Sequence, residues 1–289
     1  MGKGFPLTTA EWLRHINSLR ARNLLVNTPV TSMSSAQWDQ ILTLTTNGIK
    51  QTDNTFTIRT DALGNLLPFN SFTAAQAIGP ASQGGGGNKV SERLIQDFKP
   101  GDKRFKNNFA LIPAYIGPGD RGTNFNTRYM LVDQGKGMPG VVVMVDRTIG
   151  AQELYLACSY EENVLMRAEA NIYKGNINAG LALIDELRDY QGAGLAAVAG
   201  TGLTSDEAKE ELRRERRVGL AFRGFAFYDA RRWGVLQNGR TGCVVVGLNG
   251  VVSTNATIQY GYFDYWDVPV AESFYNPASA DSAPLVNPN

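Results

Sequence analysis

The stretch TSDEAKEELRRERRVGLAFRGFAFYDARRWG, residues 204–234, restricts the possible fold more than any other part of the chain. Thr204 followed by Glu207 is a capping-box pattern, in which the threonine oxygen and the glutamate each satisfy a backbone donor that the first helical turn leaves unpaired. A helix therefore starts there. Ala208, Leu212, Gly219 and Phe222 fall within one arc of a 3.6-residue period, while Lys209, Arg213 and Arg217 point elsewhere. Glu215 lies inside the apolar arc.

A carboxylate on a buried stripe needs a cationic partner, because an unpaired buried charge is too costly for a packed core. Gly224 can stop or bend the helix, after which Phe225, Phe227, Tyr228 and Trp233 fold back and bring Arg231 and Arg232 towards Glu215. Asp229 is placed to orient one guanidinium through a two-pronged hydrogen bond. The expectation is a structural lock made of Glu215, Asp229, Arg231, Arg232 and Trp233. The competing reading of EELRRERR is a charged, solvated helix face. The position of Glu215 on the apolar arc, and the need to bury the aromatics, favour the lock.

The chain has 289 residues, 43% of them apolar and 19% charged, which is enough to bury a substantial core in one large domain or two small ones. A formal charge of +1 gives no bulk attraction to nucleic acid or an anionic bilayer. Cys158 and Cys243 are far apart in sequence and read as buried thiols, and the one histidine, His15, reads as a partly packed helix residue among Leu13, Ile16 and Leu19. Neither a metal site nor a cofactor is expected. No run approaches the roughly 18 apolar residues that span a bilayer, and the N-terminus has no apolar segment of signal-peptide length, so the sequence reads as soluble.

Thr8 with Glu11 opens a helix over residues 9–25, with Trp12, Ile16, Leu19 and Leu24 at helical spacing. Ser34 with Gln37 opens a second through Trp38, Ile41, Leu42 and Leu44, ending at Asn47 and Gly48 with a left-handed cap. Residues 51–147 lose the helical period and read as loops with short strands at 55–58 and 141–145, a possible short helix at 91–98, and a Gly-rich segment at 83–88 that lacks the ending of a phosphate cradle. A helix at 153–173 carries Leu156, Leu165, Ala168 and Ile172 inward. Gly175 turns it into a partner bearing Leu181, Ile184 and Leu187, a tetratricopeptide-type pair. Asn249-Gly250, between 243–248 and 251–253, signals a β-hairpin.

Several of these segments together resemble one family. RRERRVGLAFRGFAFYDARRWG is similar to the signature of the SusD/RagB outer-membrane nutrient-binding lipoproteins, with Gly219 and Arg223 standing where Glu is usual or frequent in that family. ARNLLVN with Trp38 and Asn47-Gly48-Ile49 resembles its middle helical pair. Asp102-Lys103-Arg104-Phe105 resembles an Asp-x-Arg element before its variable loops, and Asp267-Val268-Pro269-Val270 with Glu272 and Asn276-Pro277 resembles its C-terminal segment. The resemblance implies a mostly α fold, a SusD-like superhelix of tetratricopeptide-like pairs with a long loop-rich insertion and a few short β-strands or hairpins. The expected organisation is one C-terminal domain: a helical pair at 9–50, the insertion at 51–150, a helical pair plus signature helix at 151–234, and a hairpin and tail at 235–289. The family's lipid-attachment cysteine and front helices have no counterpart in this sequence, so it reads as a back-half portion or a shortened member.

The chain has no Gly-x-Ser-x-Gly elbow, His-Glu-x-x-His, Cys-x-x-Cys or dinucleotide fingerprint. Glu161, Glu162, Asp185 and Glu186 could pair as glycosidase carboxylates, but a solvated helix surface is the competing and favoured reading. Binding requires only aromatic faces and polar side chains displayed on loops. Tyr115, Arg121, Asn124, Phe125, Asn126 and Tyr129 supply these in the insertion. The aromatics at 262–266 read either as packing or as a sugar platform. The resemblance implies non-catalytic binding of oligosaccharide nutrients at the outer membrane's extracellular face and delivery to a SusC-like TonB-dependent transporter. The alternative is a helical-repeat adaptor that binds protein or peptide, and a glycoside hydrolase is a third reading.

Overall fold

The computed structural model describes residues 7–55, 57–59, 90–116, 127–131, 153–155, 157–236, 238–247, 250–259 and 274–275. The elements in chain order are α1 (Thr9–Asn27), a 3-10 turn at Val30–Ser32, α2 (Ser35–Thr46), β1 (Thr57–Arg59), α3 (Glu92–Ile95), α4 (Lys103–Asn108), β2 (Phe109–Ile116), β3 (Thr127–Leu131) and β4 (Glu153–Tyr155). They continue with α5 (Tyr160–Tyr173), α6 (Ile177–Tyr190), α7 (Ser205–Gly219), α8 (Phe225–Arg232), β5 (Arg240–Val246) and β6 (Val252–Ile258). The described strands form three antiparallel pairs, β1 with β4, β2 with β3 and β5 with β6.

The three capping boxes form as their spacing requires, Thr8 with Glu11, Ser34 with Gln37 and Thr204 with Glu207. The helix expected over 153–173 begins only at Tyr160, capped by Ser159. Glu153–Tyr155 instead pairs with Thr57–Arg59, so the chain leaves the helical frame and returns to it through one short ladder. The hairpin around Gly250, at φ 78°, is present, and its strands run longer than the sequence suggested.

The two helical pairs stack in space although the insertion separates them in sequence. Ala21, Leu25, Trp38, Ile41 and Leu44 of the first pair pack on Met166 and Ala170 of α5, and the Trp38 and Tyr173 rings stack at 4.8 Å and 7°. The larger cluster joins Leu165, Ala168 and Ile172 of α5 to Leu181, Ile184 and Leu187 of α6 and to Ala208 and Leu212 of α7. Gly180 allows α6 to approach α5, since a Cβ there would lie 2.5 Å from Ile172 and 2.8 Å from the Ala168 carbonyl.

Helix α1 is turned opposite to its apolar spacing. Its buried face is Glu11, His15, Ser18, Ala21 and Leu25, while Trp12 and Ile16 are 48% and 46% exposed and Leu13 and Leu19 lie outside with them. The polar residues go inward because each has a partner there. Glu11 accepts from the Asn54 N–H, His15 Nε2 bonds the Asn54 carbonyl at 2.9 Å, and Ser18 donates to Asn163 Oδ1 at 2.8 Å. Asn163 Nδ2 donates in turn to the Thr45 and Ile49 carbonyls at 2.9 and 3.2 Å. One buried amide thus joins α1, the end of α2 and α5.

Gly48 is required by this knot rather than by a left-handed cap. Asn47 has φ −97°, and a Cβ on Gly48 would lie 2.2 Å from Asn163 Oδ1 and 2.6 Å from Ser18 Oγ. Gly48→Ala and Asn163→Ala are each expected to lower unfolding free energy by about 1–3 kcal/mol, through displacement of the amide and through stranded buried partners respectively. Urea unfolding of the two variants measures this, and a loss within error of zero in both would exclude the knot.

Candidate functional site

Glu215 is 1% exposed, as its position on the apolar arc of α7 required. Its partners differ from those expected. Arg104 donates from Nη1 and Nη2 to its two carboxylate oxygens at 2.5 and 3.2 Å, and Arg188 Nε donates at 2.7 Å. Arg104 is also gripped by Asp102, whose Oδ2 accepts from Nη2 at 2.8 Å, and by Gln191 Oε1 at 2.8 Å. Arg188 Nη2 reaches Glu211 at 2.6 Å, and Lys99 pairs with the same carboxylate. Three carboxylates, Asp102, Glu211 and Glu215, thus face three cations, Lys99, Arg104 and Arg188.

The second half of the expected lock forms a separate knot. Arg232 donates from Nη1 and Nη2 to Glu169 of α5 at 2.5 and 2.7 Å, and its Nε reaches Asp229 at 2.9 Å. Arg216 grips Asp229 through Nε and Nη2 at 2.8 and 3.0 Å, and Trp233 Nε1 donates to Glu169 at 3.0 Å. Two carboxylates therefore face two guanidiniums. Arg231 lies outside this knot, half-buried, with its guanidinium 5.7 Å from the Tyr228 ring centre.

The physical reason for the division is that α7 ends at Gly219, before Phe222. Leu220–Gly224 reverses the chain, with Phe222 at φ 63° and Gly224 at φ 79°. A left-handed Phe is strained, and this reversal directs α8 towards Arg216 and α5 rather than towards Glu215. Phe227 and Tyr228 stay largely exposed as a result. At Gly219 a Cβ would meet Glu215 Oε1 at 3.0 Å, and Gln191 Nε2 donates to the Gly219 carbonyl at 2.9 Å, so an amide occupies space that a larger residue would need.

Burial is the largest influence on the Glu215 carboxyl and pushes its pKa up, but the charges and hydrogen bonds of Arg104 and Arg188 together outweigh it and leave the group below its ordinary value. Asp229 follows the same logic, with burial opposed by Arg216 and Arg232. These knots connect separate parts of the frame. The Arg104 knot ties α4, just before β2 in the insertion, to α6 and α7, and the Arg232 knot ties α8 to α5 and α7.

Among the proposed ligand-binding residues, Tyr115 lies on β2, and Arg121, Asn124, Phe125 and Asn126 lie outside the described residues. Tyr129 on β3 is half-buried, its ring edge against Phe105 at 5.5 Å and the Arg128 guanidinium 5.4 Å from its centre. It packs into the small cluster of Val90, Ile95 and Phe109 instead of standing clear of the frame. The aromatics at 262–266, the Gly-rich segment and the segment with Asp267 and Glu272 also lie outside the described residues.

The carboxylates considered as a glycosidase pair have other work. Glu161 and Glu162 are buried rather than solvated. Glu162 accepts from Arg22, and the guanidinium of Arg223 lies 4.0 Å from Glu161. Asp185 accepts from the Val198 and Ala199 N–H groups, and Glu186 accepts from the Tyr160 hydroxyl. Among the described residues no group of three or more His, Cys, Asp or Glu side chains is arranged to hold a metal ion, and no helix is long and apolar enough to cross a membrane.

Residues 160–281 match the model of the SusD family. Among solved structures, a SusD-like protein from Bacteroides fragilis is 16% identical, with 85% of this chain and 59% of that one covered at a TM-score of 0.52. A SusD superfamily protein from Bacteroides vulgatus is 20% identical over 50% of this chain and 33% of that one, at a TM-score of 0.33. No curated protein matches. The fold is the mostly helical SusD-like one, and the chain spans about a third to three-fifths of the length of these two structures.

Two measurements test the corrected pairing. Glu215→Gln and Arg232→Ala each strand buried charges and are expected to cost about 3–5 kcal/mol of unfolding free energy. Arg231→Ala removes a half-buried side chain outside both knots, with its cation–π contact to Tyr228, and should cost about 1 kcal/mol, well below the loss at 232. Equal losses at 231 and 232 in denaturant unfolding would restore the original lock. Because the folded pKa values of Glu215 and Asp229 are lowered, their contribution to stability is complete above the ordinary carboxyl values of 4.5 and 3.8 and is lost as pH falls through the depressed ones. Thermal midpoints should therefore be level near neutrality and fall on acidification below those ordinary values.

Proposed function

On the premise that the chain is SusD/RagB-like over residues 160–281, we propose that it binds oligosaccharide nutrients without catalysis and hands them to a TonB-dependent outer-membrane transporter. The observation that supports this most is the Arg104 knot. It fixes the middle of a loop-rich insertion to two helices, α6 and α7, through a balanced set of buried charges, and recognition by loops needs a scaffold that does not yield. Binding through Tyr115, Arg121, Asn124, Phe125 and Asn126 would use the insertion's polar and aromatic side chains on sugar hydroxyls and ring faces. In the whole protein a lipid anchor and an extracellular-facing position would place that surface next to the transporter.

A second reading draws on α1. The exposed row of Trp12, Leu13, Ile16 and Leu19 is the kind of apolar helix face that helical-repeat adaptors use to hold a peptide or protein.

A glycan array probed with the wild-type chain, Tyr115→Ala and Phe125→Ala separates the two. The nutrient reading expects saturable retention of one glycan class with no product formed, and roughly a tenfold weakening in at least one variant, as loss of one stacking contact produces. Released product would favour hydrolysis. Retention of a protein partner that Ile16→Asp abolishes, with no glycan retained, would favour the adaptor.

A further inference from the structure

The two buried charge knots described above balance charge for charge, and one open cleft does not. It lies between α3, the outer face of α7, α8 and the β5–β6 hairpin, with a volume of about 610 Å³. Five guanidiniums line it, those of Arg93, Arg213, Arg214, Arg217 and Arg240, against two carboxylates, Asp97 and Glu210. The whole chain has a formal charge of only +1, so this excess is local.

The carboxylates are already engaged. Arg213 holds Glu210 through two hydrogen bonds of 2.7 Å and reaches Asp97 at 2.9 Å. Arg217 Nε sits 2.6 Å from Asp97 Oδ2 but off the direction of its N–H, a charge contact without a hydrogen bond. Arg214 comes no nearer to Glu210 than 3.8 Å, and its Nε finds no acceptor. Arg240 donates to the Val235 carbonyl at 3.3 Å, and Arg93 is exposed; neither pairs with a carboxylate among the described residues. The crowding is felt at Arg217, whose pKa is lowered first by burial and then, against the pull of Asp97, by Arg213, Arg93 and Arg240.

The other wall is apolar. Ala226, Phe227, Ala230 and Leu236 line it, with Phe227 43% exposed. A cleft of this volume has the size of a small-ligand site rather than of a bare anion, and it offers donors on one side with an aromatic ring on the other. Guanidiniums bind carboxylate and sulfate oxygens through paired N–H groups, and a ring face accepts the C–H side of a sugar.

We propose that this cleft binds the anionic substituent of an acidic saccharide, a uronate carboxylate or a sulfate ester, with Arg93, Arg214 and Arg240 supplying the uncommitted charge and Phe227 meeting the sugar ring. The saccharide part rests on the nutrient-binding reading above, while the anion part rests on the cleft alone. The site is separate from the loop residues at 115–126.

Calorimetric titration of the chain with a neutral maltohexaose, a hexagalacturonate and a sulfated heparin hexasaccharide tests it. At least one acidic probe should bind roughly tenfold or more tightly than the neutral one, and its advantage should shrink as salt rises. Arg93→Gln combined with Arg214→Gln should remove most of that advantage and leave neutral binding unchanged. Whether the uronate or the sulfate probe responds distinguishes the two anion sources. Because Arg93 is exposed and Arg214 is half-buried with no close carboxylate contact, this variant is expected to melt close to wild type, and the probe comparison on the wild-type chain requires no variant.

Equal binding of acidic and neutral probes, or an undiminished acidic preference in a folded double variant, would overturn the proposal. Acidic binding that survives Tyr115→Ala would uphold the cleft and count against the loop site. Neutral binding that depends on Tyr115, with no acidic preference, would do the reverse. No saccharide binding at all would remove both.

Discussion

The helical frame depends on a carboxylate that could not be buried alone. Glu215 sits between Arg104 and Arg188, and each arginine has a further acid of its own, so the desolvation of one charge is answered by a closed set of six. Such knots contribute little net stability compared with an apolar seam of the same volume, but breaking one partner is expensive. Their consequence here is geometric. Planar guanidiniums accept carboxylates in few orientations, so the pairing sets the relative position of α4, α6 and α7 more narrowly than Leu and Ile contacts would.

That constraint explains how a chain with a long excursion between its two helical pairs can still stack them. The excursion begins and ends in the β1–β4 ladder, and its middle is held where Asp102 and Arg104 meet Glu215. On the other side, Asn163 and Ser18 connect α5 to α1 and to the end of α2. The stacked pairs therefore meet across apolar surface but are positioned by polar bonds. Helix α1 turned its polar face inward for the same reason, because Glu11, His15 and Ser18 had buried partners waiting there, while Ala21 and Leu25 on the same face join the cluster with α2 and α5.

Much of this was legible in the sequence. The capping boxes, the Gly175 turn, the Gly250 hairpin and the buried state of Glu215 all follow from local chemistry, and local chemistry is what a sequence displays. The identity of Glu215's partners was not, because they come from residues 104 and 188, and proximity in sequence to Arg231 and Arg232 was misleading. A signal for part of it was present: Arg188 sits four residues after Ile184 and Glu169 four after Leu165, so each is a charge on an apolar stripe just as Glu215 is. Charges that share this anomaly on different helices are candidates to meet. Arg104, on a short helix without an apolar period, gave only its Asp-x-Arg spacing. The rotation of α1 was not readable either, since its apolar spacing pointed to the face that stays outside.

The same balance clarifies why glycine suits position 219. In this frame Glu211 and Glu215 of α7 already belong to a set of three acids and three cations, and position 219 lies one turn further along, with its backbone within reach of Gln191. A fourth acid would need a fourth cation in space that Leu187 and the Glu215 carboxylate occupy, since even a Cβ there meets them at 3.2 and 3.0 Å. Glycine with a neutral amide beside it satisfies the carbonyl and adds no charge. On the opposite face of the same helix, Arg213, Arg214 and Arg217 follow no such balance. One helix thus presents a closed charge set inward and an open one outward, and the inward set fixes the orientation from which the outward one is displayed.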